Sequence, residues 1–226
     1  MKNLKNALLL KQLYQLQQLG YNYTDVNIFK EKEHDLSLPN TLEHLEKQAK
    51  ECHLCELSKS RNRVVFAEGN KHAQLMIVGD FPSNSDDSTG KIFTGRSGET
   101  LTNMIEKVLH LKREEVYITN ILKCRAIDTK SPSPTCTHTC YPFLLKQIEL
   151  VKPKIILAFG DLAYQFLTQD DSNISEVRGR VHKKEAHSII ATYHPKYLLR
   201  NPSAKKDVFE DLKKVKELMT LLQSSQ

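Results

Sequence analysis

Five cysteines are the residues whose spacing indicates chemistry most directly. Cys52 and Cys55 form a CxxC pair, Cys124 and Cys140 have fifteen residues between them, and Cys136 lies four residues before Cys140. Four thiolates hold either a tetrahedral zinc ion or an iron–sulfur cluster. Because structural zinc sites usually combine two closely spaced pairs, the wide second spacing favours a cluster. The spacing also leaves open a redox-active CxxC pair accompanied by three buried structural cysteines.

Polar residues that follow predicted strands form a second set of candidates. Gly79, Asp80, Asn120 and His194 come just after the ends of short apolar runs. These runs are Leu75–Val78, Val116–Thr119 and Ser188–Thr192. In open α/β sheets, ligands bind in the crevice outside the carboxyl ends of the strands. We therefore expect these polar residues to line one pocket, although polar loop residues also follow strands in proteins without such a site.

The elements that must position these residues alternate between strand and helix. A further strand is predicted at Ile155–Phe159. Helices are predicted from a capping box at Asn40 and Glu43 toward the first cysteine pair, from Ser97 to Leu109, and at 138–152, 161–167 and 203–222. Strands of four to six residues alternating with helices indicate an α/β fold with a mainly parallel sheet.

The N-terminal region has a different pattern. Leucines recur at helical spacing over residues 3–19 and Gly20 ends the run, which predicts an amphipathic helix, and residues 21–40 are typical of a linker. We therefore predict an N-terminal helix and linker at 1–40 and one compact domain at 41–226. The leucine face of the helix either packs on the domain, which we favour, or holds a replication or repair partner such as a replication clamp.

Composition limits the class of protein. The chain has 226 residues, of which 39% are hydrophobic, and a net charge of +6. This basicity suits a polyanionic partner, since phosphates neutralised by Lys or Arg release counterions, but it also occurs by chance in proteins without such a partner. The N-terminus lacks the features of a signal peptide, and no apolar stretch approaches 18 residues, so we expect a cytoplasmic protein with no membrane association and no disulfide framework.

The sequence resembles the family-4 uracil-DNA glycosylases, which are iron–sulfur enzymes that remove uracil from DNA. The resemblance runs from about Leu42 to Leu221. Its most specific stretches are VVFAEGN (64–70), LMIVGDFP (75–82), TGKIFTGRSGETL (89–101), EEVYITNILKCR (114–125), LLKQIELVKPKIILAFG (144–160), VRGR (177–180) and ATYHPKYLLRNP (191–202). The resemblance implies a three-layer α/β/α sandwich.

The resemblance also implies a ligand set. A four-iron four-sulfur cluster would be held by Cys52, Cys55, Cys124 and Cys140, which leaves Cys136 as a non-ligand. We expect this cluster to order the chain between Cys55 and Cys124 rather than to carry out redox chemistry.

Roles for the pocket residues follow from the same resemblance. Phe93 occupies the position of the phenylalanine that stacks on the flipped-out base, and Asn120 that of the asparagine that reads it. His194 is the candidate donor to O2 of the leaving uracil. Asp80 is the candidate carboxylate that stabilises the sugar cation and positions a water, and Gly79 begins the same substrate-binding motif.

This motif departs from the family pattern GEAPG, because residues 79–83 read GDFPS. Asp80 keeps the charge of Glu with a reach shorter by one methylene, Phe81 replaces a small residue, and Ser83 replaces a glycine. The run 126–130 also differs from the family's PPxNR. We favour a uracil-DNA glycosylase of base-excision repair. The alternative that these changes motivate is a DNA-binding protein of the same fold with weak or no glycosylase activity.

The remaining expectations concern partners. We expect a monomer that acts on uracil-containing DNA. Basic residues that flank the proposed pocket mouth, and that suit phosphate contacts as a group, are Arg96, Arg125, Lys196 and Arg200, with Lys205 and Lys206 farther along the chain. Any single lysine among them is equally explained as a solvated surface charge. A zinc-bound or redox protein without a nucleic-acid function is a third alternative.

Overall fold

A six-stranded sheet forms the centre of the structure, a computed structural model that describes residues 38–126, 132–184 and 186–224. The strands are β1 (Ala67–Gly69), β2 (Leu75–Gly79), β3 (Tyr117–Asn120), β4 (Ile155–Phe159), β5 (Val181–Lys183) and β6 (Ser188–Thr192), in the spatial order β1-β3-β2-β4-β6-β5. The four central strands are parallel, and β1 and β5 pair antiparallel at the two edges. The predicted N-terminal helix and all but the last three residues of the predicted linker lie outside the described residues.

Helices connect these strands and cover the sheet. The α-helices are α1 (Leu42–Lys50), α2 (Asn84–Thr89), α3 (Gly95–Asn103), α4 (Pro134–Val151), α5 (Gly160–Thr168), α6 (Ile174–Val177), α7 (Pro195–Arg200) and α8 (Lys205–Ser224). A π-helix, Met104–Leu109, continues α3, and short 3₁₀ turns occupy Glu56–Lys59, Arg113–Glu115 and Pro202–Ala204. None of the helices in the described ranges combines the length and the apolar character that crossing a bilayer requires.

The sheet is buried on both faces, and alternate strand residues enter two separate apolar clusters. In β2, Leu75 and Ile77 pack with residues of α3, the π-helix and α8, while Met76 and Val78 pack with residues of α4 and α5. All five residues of β2 and of β4 are buried. Each buried Leu, Ile, Val, Met or Phe side chain among them contributes about 1.5–3 kcal/mol by leaving water. The predicted α/β fold with a mainly parallel sheet between two helical layers is confirmed.

The predicted helix starts differ from the structure by one to four residues, most of all at α4, which begins at Pro134 and not at 138. The first helix is capped by Thr41, whose Oγ1 accepts a hydrogen bond from the His44 backbone N–H (3.3 Å), while Asn40 accepts one from Lys146 Nζ (2.9 Å). The helix predicted to begin at Ser97 begins at Gly95 and changes to a π-helix at Met104.

Candidate active site and cysteine cavity

The carboxyl ends of β2, β3 and β6 meet at a cavity of about 280 Å³, here called the active-site cavity. Its lining includes Asp80, Phe93, Asn120 and His194. Gly79 lies behind this lining, where an added Cβ would be 2.5 Å from Asn120 Oδ1 and 2.8 Å from Phe93 Cζ. The structure therefore brings together all five pocket residues named from the sequence, and only glycine at position 79 leaves room for both neighbouring side chains.

Asn120 presents an unpaired acceptor. The residue ends β3 and is 2% exposed. Its side-chain Oδ1 is buried and has no hydrogen-bond partner among the described residues. Leaving a buried polar atom unsatisfied costs about 1–3 kcal/mol, so native proteins rarely do so without a reason. An acceptor in this state suits a ligand that brings its own N–H donor into the cavity.

His194 is held in one tautomer by the start of α7. Its Nδ1 accepts a hydrogen bond from the Lys196 backbone N–H (3.0 Å), so the ring proton of the neutral form is on Nε2. Burial, together with the charge of Lys196, lowers the pKa of His194 to about 4. At neutral pH the imidazole is therefore an uncharged donor through Nε2–H.

Phe93 has a backbone conformation that few residues other than glycine adopt. Its φ is +49°, in the left-handed region, and its ring stacks on the His194 ring with centroids 5.6 Å apart and an interplanar angle of 26°. Arg113 Nη2 donates to the Ile92 carbonyl (2.7 Å), which holds the preceding peptide. Gly98 makes this conformation possible, since a Cβ there would lie 1.7 Å from the Phe93 carbonyl oxygen.

Asp80 lies at the N-terminus of α5. The Ala163 backbone N–H donates to its Oδ1 (3.3 Å), and Gly160 leaves space for the carboxylate, since a Cβ there would be 3.2 Å from Oδ2. Burial raises the pKa of Asp80 to about 7, Asp161 adds to this rise, and the Ala163 N–H and Lys196 oppose it. The carboxyl group is therefore close to half ionised at neutral pH.

The loop that carries Phe93 is tied down by a buried acid whose role the sequence analysis missed. Asp86 Oδ1 accepts hydrogen bonds from the Thr94 backbone N–H (2.7 Å) and hydroxyl (2.6 Å), and Oδ2 accepts one from the Ser83 N–H (2.8 Å). Ser83 in turn caps α2 by accepting from the Asp86 N–H. The Ser-x-x-Asp spacing of this capping box is the sequence signal that indicates it.

Four of the five cysteines line one small cavity between the α1–β1 segment and α4. These four are Cys52, Cys55, Cys124 and Cys140. Burial raises the pKa of the Cys124 thiol, and raises the pKa of Cys55 to about 11 and that of Cys140 to about 12. Buried thiols become thiolates when a metal or a cation compensates their charge.

Two basic side chains line this cysteine cavity, and burial lowers the pKa of one of them, Lys123, to about 7. Arg61 Nη1 donates to Cys124 Sγ (3.2 Å), and the buried Lys123 also lines the cavity. Lys123 Nζ donates to Thr119 Oγ1 (2.8 Å), the Asn120 carbonyl (2.6 Å) and Gln147 Oε1 (2.6 Å). The lysine therefore connects the cysteine cavity to the end of β3, where Asn120 lies.

Cys136 is the one of the five cysteines that does not line the cysteine cavity. It is 1% exposed, although it lies within hydrogen-bonding reach of Cys55, and its Sγ is 3.5 Å from Glu56 Oε1. Within the described ranges, no group of three or more His, Cys, Asp or Glu side chains is placed to hold a metal ion.

The basic residues expected near the pocket lie in different surroundings. Lys196 and Arg200 are exposed and line the active-site cavity. Arg125 makes contacts within the protein, because its Nη1 donates to Asn84 Oδ1 (2.7 Å) and its Nε lies 3.8 Å from the buried carboxylate of Asp87. Lys205 lines a separate groove beside α8. The positive charge at the cavity therefore comes from α7.

Comparison with known proteins gives a consistent result. The sequence model of the uracil-DNA glycosylase superfamily matches residues 66–213. A type-4 uracil-DNA glycosylase of Thermotoga maritima is 36% identical over 182 residues, which cover 79% of this chain and 94% of the relative. The type-4 uracil-DNA glycosylase of Sulfurisphaera tokodaii is 34% identical over 79% of this chain and 85% of its own length, and that of Archaeoglobus fulgidus 33% identical over 79% and 93%.

Proposed function

Because the chain belongs to the uracil-DNA glycosylase superfamily and, within it, to the type-4 uracil-DNA glycosylases, we propose that it excises uracil from DNA through the active-site cavity. In this reaction the enzyme hydrolyses the N-glycosidic bond of a flipped-out deoxyuridine and leaves an abasic site. The observation that carries the proposal is the unpaired, buried Oδ1 of Asn120, a residue that lines a cavity together with a neutral histidine and a carboxylate.

Asn120 would identify the base. Its Oδ1 accepts from uracil N3–H and its side-chain NH₂ donates to O4. Cytosine offers an acceptor at N3 and a donor at its exocyclic amine, so both hydrogen bonds would be lost and the amide would remain buried and unpaired. A site built to make specific hydrogen bonds rejects analogues strongly for this reason. The Phe93 ring would replace the stacking that the base loses when it leaves the helix, worth about 1–3 kcal/mol.

His194 would stabilise the leaving group. As the bond between C1′ and N1 breaks, its electron pair leaves with the uracil and negative charge develops on O2. A neutral imidazole that donates through Nε2–H stabilises this charge without a proton transfer, and removal of such a donor typically costs about 10²–10³ in rate. The pKa of about 4 keeps the ring in this neutral state throughout the neutral range.

Asp80 would act on the sugar. The deoxyribose becomes positively charged at C1′ as the bond breaks, and an ionised carboxylate stabilises that charge. A water then adds to C1′ and gives one proton to the carboxylate, while the uracil anion takes a proton from solvent. Support for this role comes from the position of Asp80 in the lining of the cavity, where the Ala163 N–H donates to its carboxylate and Gly160 leaves space for it. This placement does not favour the alternative of a DNA-binding protein without activity.

The cysteine cavity would hold a four-iron four-sulfur cluster through Cys52, Cys55, Cys124 and Cys140. Support comes from the donor set, four thiols around one cavity, and from the Arg61 guanidinium, which donates to Cys124 Sγ. When bound, the cluster would supply a cross-link between the segment at Cys52 and Cys55, the loop after β3 and α4. Cys136 would remain outside the ligand set.

A substitution at the base-reading residue tests the proposed function. Asn120→Asp replaces the NH₂ donor with an acceptor, and we expect uracil excision from a labelled oligonucleotide to fall at least 100-fold in single-turnover kinetics. Asn70→Asp is the matched control, because Asn70 accepts through Oδ1 from the His72 N–H in a remote turn and aspartate can do the same. Uracil excision by Asn120→Asp at the rate of the control would contradict the base-reading role.

A further inference from the structure

A second cavity, of about 470 Å³, adjoins the active-site cavity. Asp80, Phe81, His194 and Tyr197 line both cavities and so form the partition between them. The first three are half-buried, whereas Tyr197 is 44% exposed. Tyr197 is therefore the solvent-facing end of the partition, at the mouth of the cavity that would take the uracil.

The ring of Tyr197 packs against other side chains on one face. It stacks on Tyr193, with ring centroids 4.8 Å apart and an interplanar angle of 24°. The Arg178 guanidinium in turn lies 5.7 Å from the centre of the Tyr193 ring. Tyr193 and Tyr197 are on either side of His194, so this aromatic pair is fixed to the same turn that orients the histidine. A ring held in this way loses little conformational entropy when a ligand stacks on it.

Two exposed positive charges flank this ring on its own helix. Lys196 and Arg200 belong to the same short helix as Tyr197, and both are exposed at the cavity mouth. Cations at this position suit a phosphate backbone passing across the mouth, and such contacts orient a nucleic acid without reading its sequence. The surface therefore combines a supported aromatic ring with phosphate-binding charges, which is the combination that single-stranded nucleic acid requires.

We propose that Tyr197 is a stacking site for the nucleobase next to the uridine in the same strand. The inference rests on the proposed function, since the uridine must enter the active-site cavity. Its departure from the helix leaves the neighbouring base with one uncovered face, and the exposed face of the Tyr197 ring covers it. Because every base has such a face, this site favours no particular neighbour, and it contributes most on single strands, where no opposite strand keeps the neighbouring base in place.

Binding and fluorescence measurements on the full chain test this site. The ligand is a single-stranded oligonucleotide carrying 2′-fluoro-deoxyuridine, which resists cleavage, with 2-aminopurine as its immediate 5′ or 3′ neighbour. The variants are Tyr197→Ala, Tyr197→Leu and Tyr197→Phe. The control is Phe209→Ala, because Phe209 is an aromatic residue of similar exposure, 42%, that lines a separate groove.

We expect the wild-type protein to quench 2-aminopurine on one side of the uridine. Tyr197→Ala and Tyr197→Leu should lose this quenching and bind about 5- to 150-fold more weakly. Tyr197→Phe and Phe209→Ala should behave as wild type. Affinity and fluorescence of the alanine and leucine variants that equal those of the wild type would overturn the stacking site. If the wild type itself does not release uracil from an ordinary deoxyuridine strand, the proposed function fails, whatever the result at Tyr197.

Discussion

Replacing Asp80 with asparagine should lower activity and raise stability at the same time. Burial raises the pKa of this carboxyl from 3.8 to about 7, so the folded protein carries an ionised and poorly solvated carboxylate above pH 7. At about 1.4 kcal/mol per pKa unit, the penalty reaches about 4 kcal/mol, and water in the two adjoining cavities lowers it. Asparagine keeps an acceptor for the Ala163 N–H and has no charge to bury. We therefore expect Asp80→Asn to be about 1–4 kcal/mol more stable than the wild type at pH 8.

The size of this stability effect depends on pH. Asp80 has a folded-state pKa above its unfolded value, so the wild-type protein gains stability as the pH falls from about 7 to about 4, where the folded form takes up the proton first. Below about pH 4 the carboxyl group is protonated in both states. The stability difference between wild type and Asp80→Asn should therefore disappear there.

The excision rate should rise with pH, whereas the stability falls, because the ionised form of Asp80 is the active one. With a pKa of about 7, Asp80 is ionised roughly tenfold less at pH 6 than at pH 8, so the single-turnover rate of the wild type should rise about tenfold over that interval. Asp80→Asn should be at least 100-fold slower, with a flat profile. The assays are urea denaturation and single-turnover excision across this pH range, with the exposed Asp171→Asn as the control. A variant less stable than the wild type at pH 8, or a flat wild-type profile, would refute the reasoning.

Three further predictions concern the pocket wall, the buried lysine and the cysteines. Gly79→Ala should slow single-turnover excision about 100-fold, because its Cβ would lie 2.5 Å from Asn120 Oδ1; a rate within threefold of the wild type would contradict this. Lys123→Met should lower the free energy of unfolding in urea by about 2–4 kcal/mol, since three buried acceptors lose their donor, and an unchanged value would count against it. Cys124→Ser should lose the bound iron and its visible absorbance while Cys136→Ser keeps both, and equal iron contents would disprove this ligand assignment.

The central strands could be predicted from sequence because burial dictates them. Residues 155–159 and 188–192 are strands with the predicted bounds, and β2 and β3 differ from prediction by one residue at their ends. The edge strands β1 and β5 were missed. Each has three residues, mostly exposed, and becomes a strand only by antiparallel pairing with β3 or β6. Their sequences carry no apolar pattern from which the pairing could be inferred.

The site shows the same division between local and long-range determinants. Positions directly after strands were sufficient to bring Asp80, Asn120 and His194 to one cavity. The hydrogen bond from the Ala163 N–H to Asp80 joins residues 83 positions apart, and no local pattern indicates it. The ion pair of Arg125 with the buried carboxylate of Asp87 is also absent from any local pattern, because it depends on how the loop at Asp87 packs.

The most direct test of this account is multiple-turnover excision by the cluster-containing wild-type protein. The substrate is a labelled oligonucleotide with one uracil, alongside matched strands carrying thymine or cytosine, and alkali cleaves the abasic sites that form. We predict many turnovers at uracil, none at thymine or cytosine, and a rate about 10²–10³ lower for His194→Ala. A folded, iron-loaded protein that binds the oligonucleotide and leaves the uracil in place would contradict the central claim.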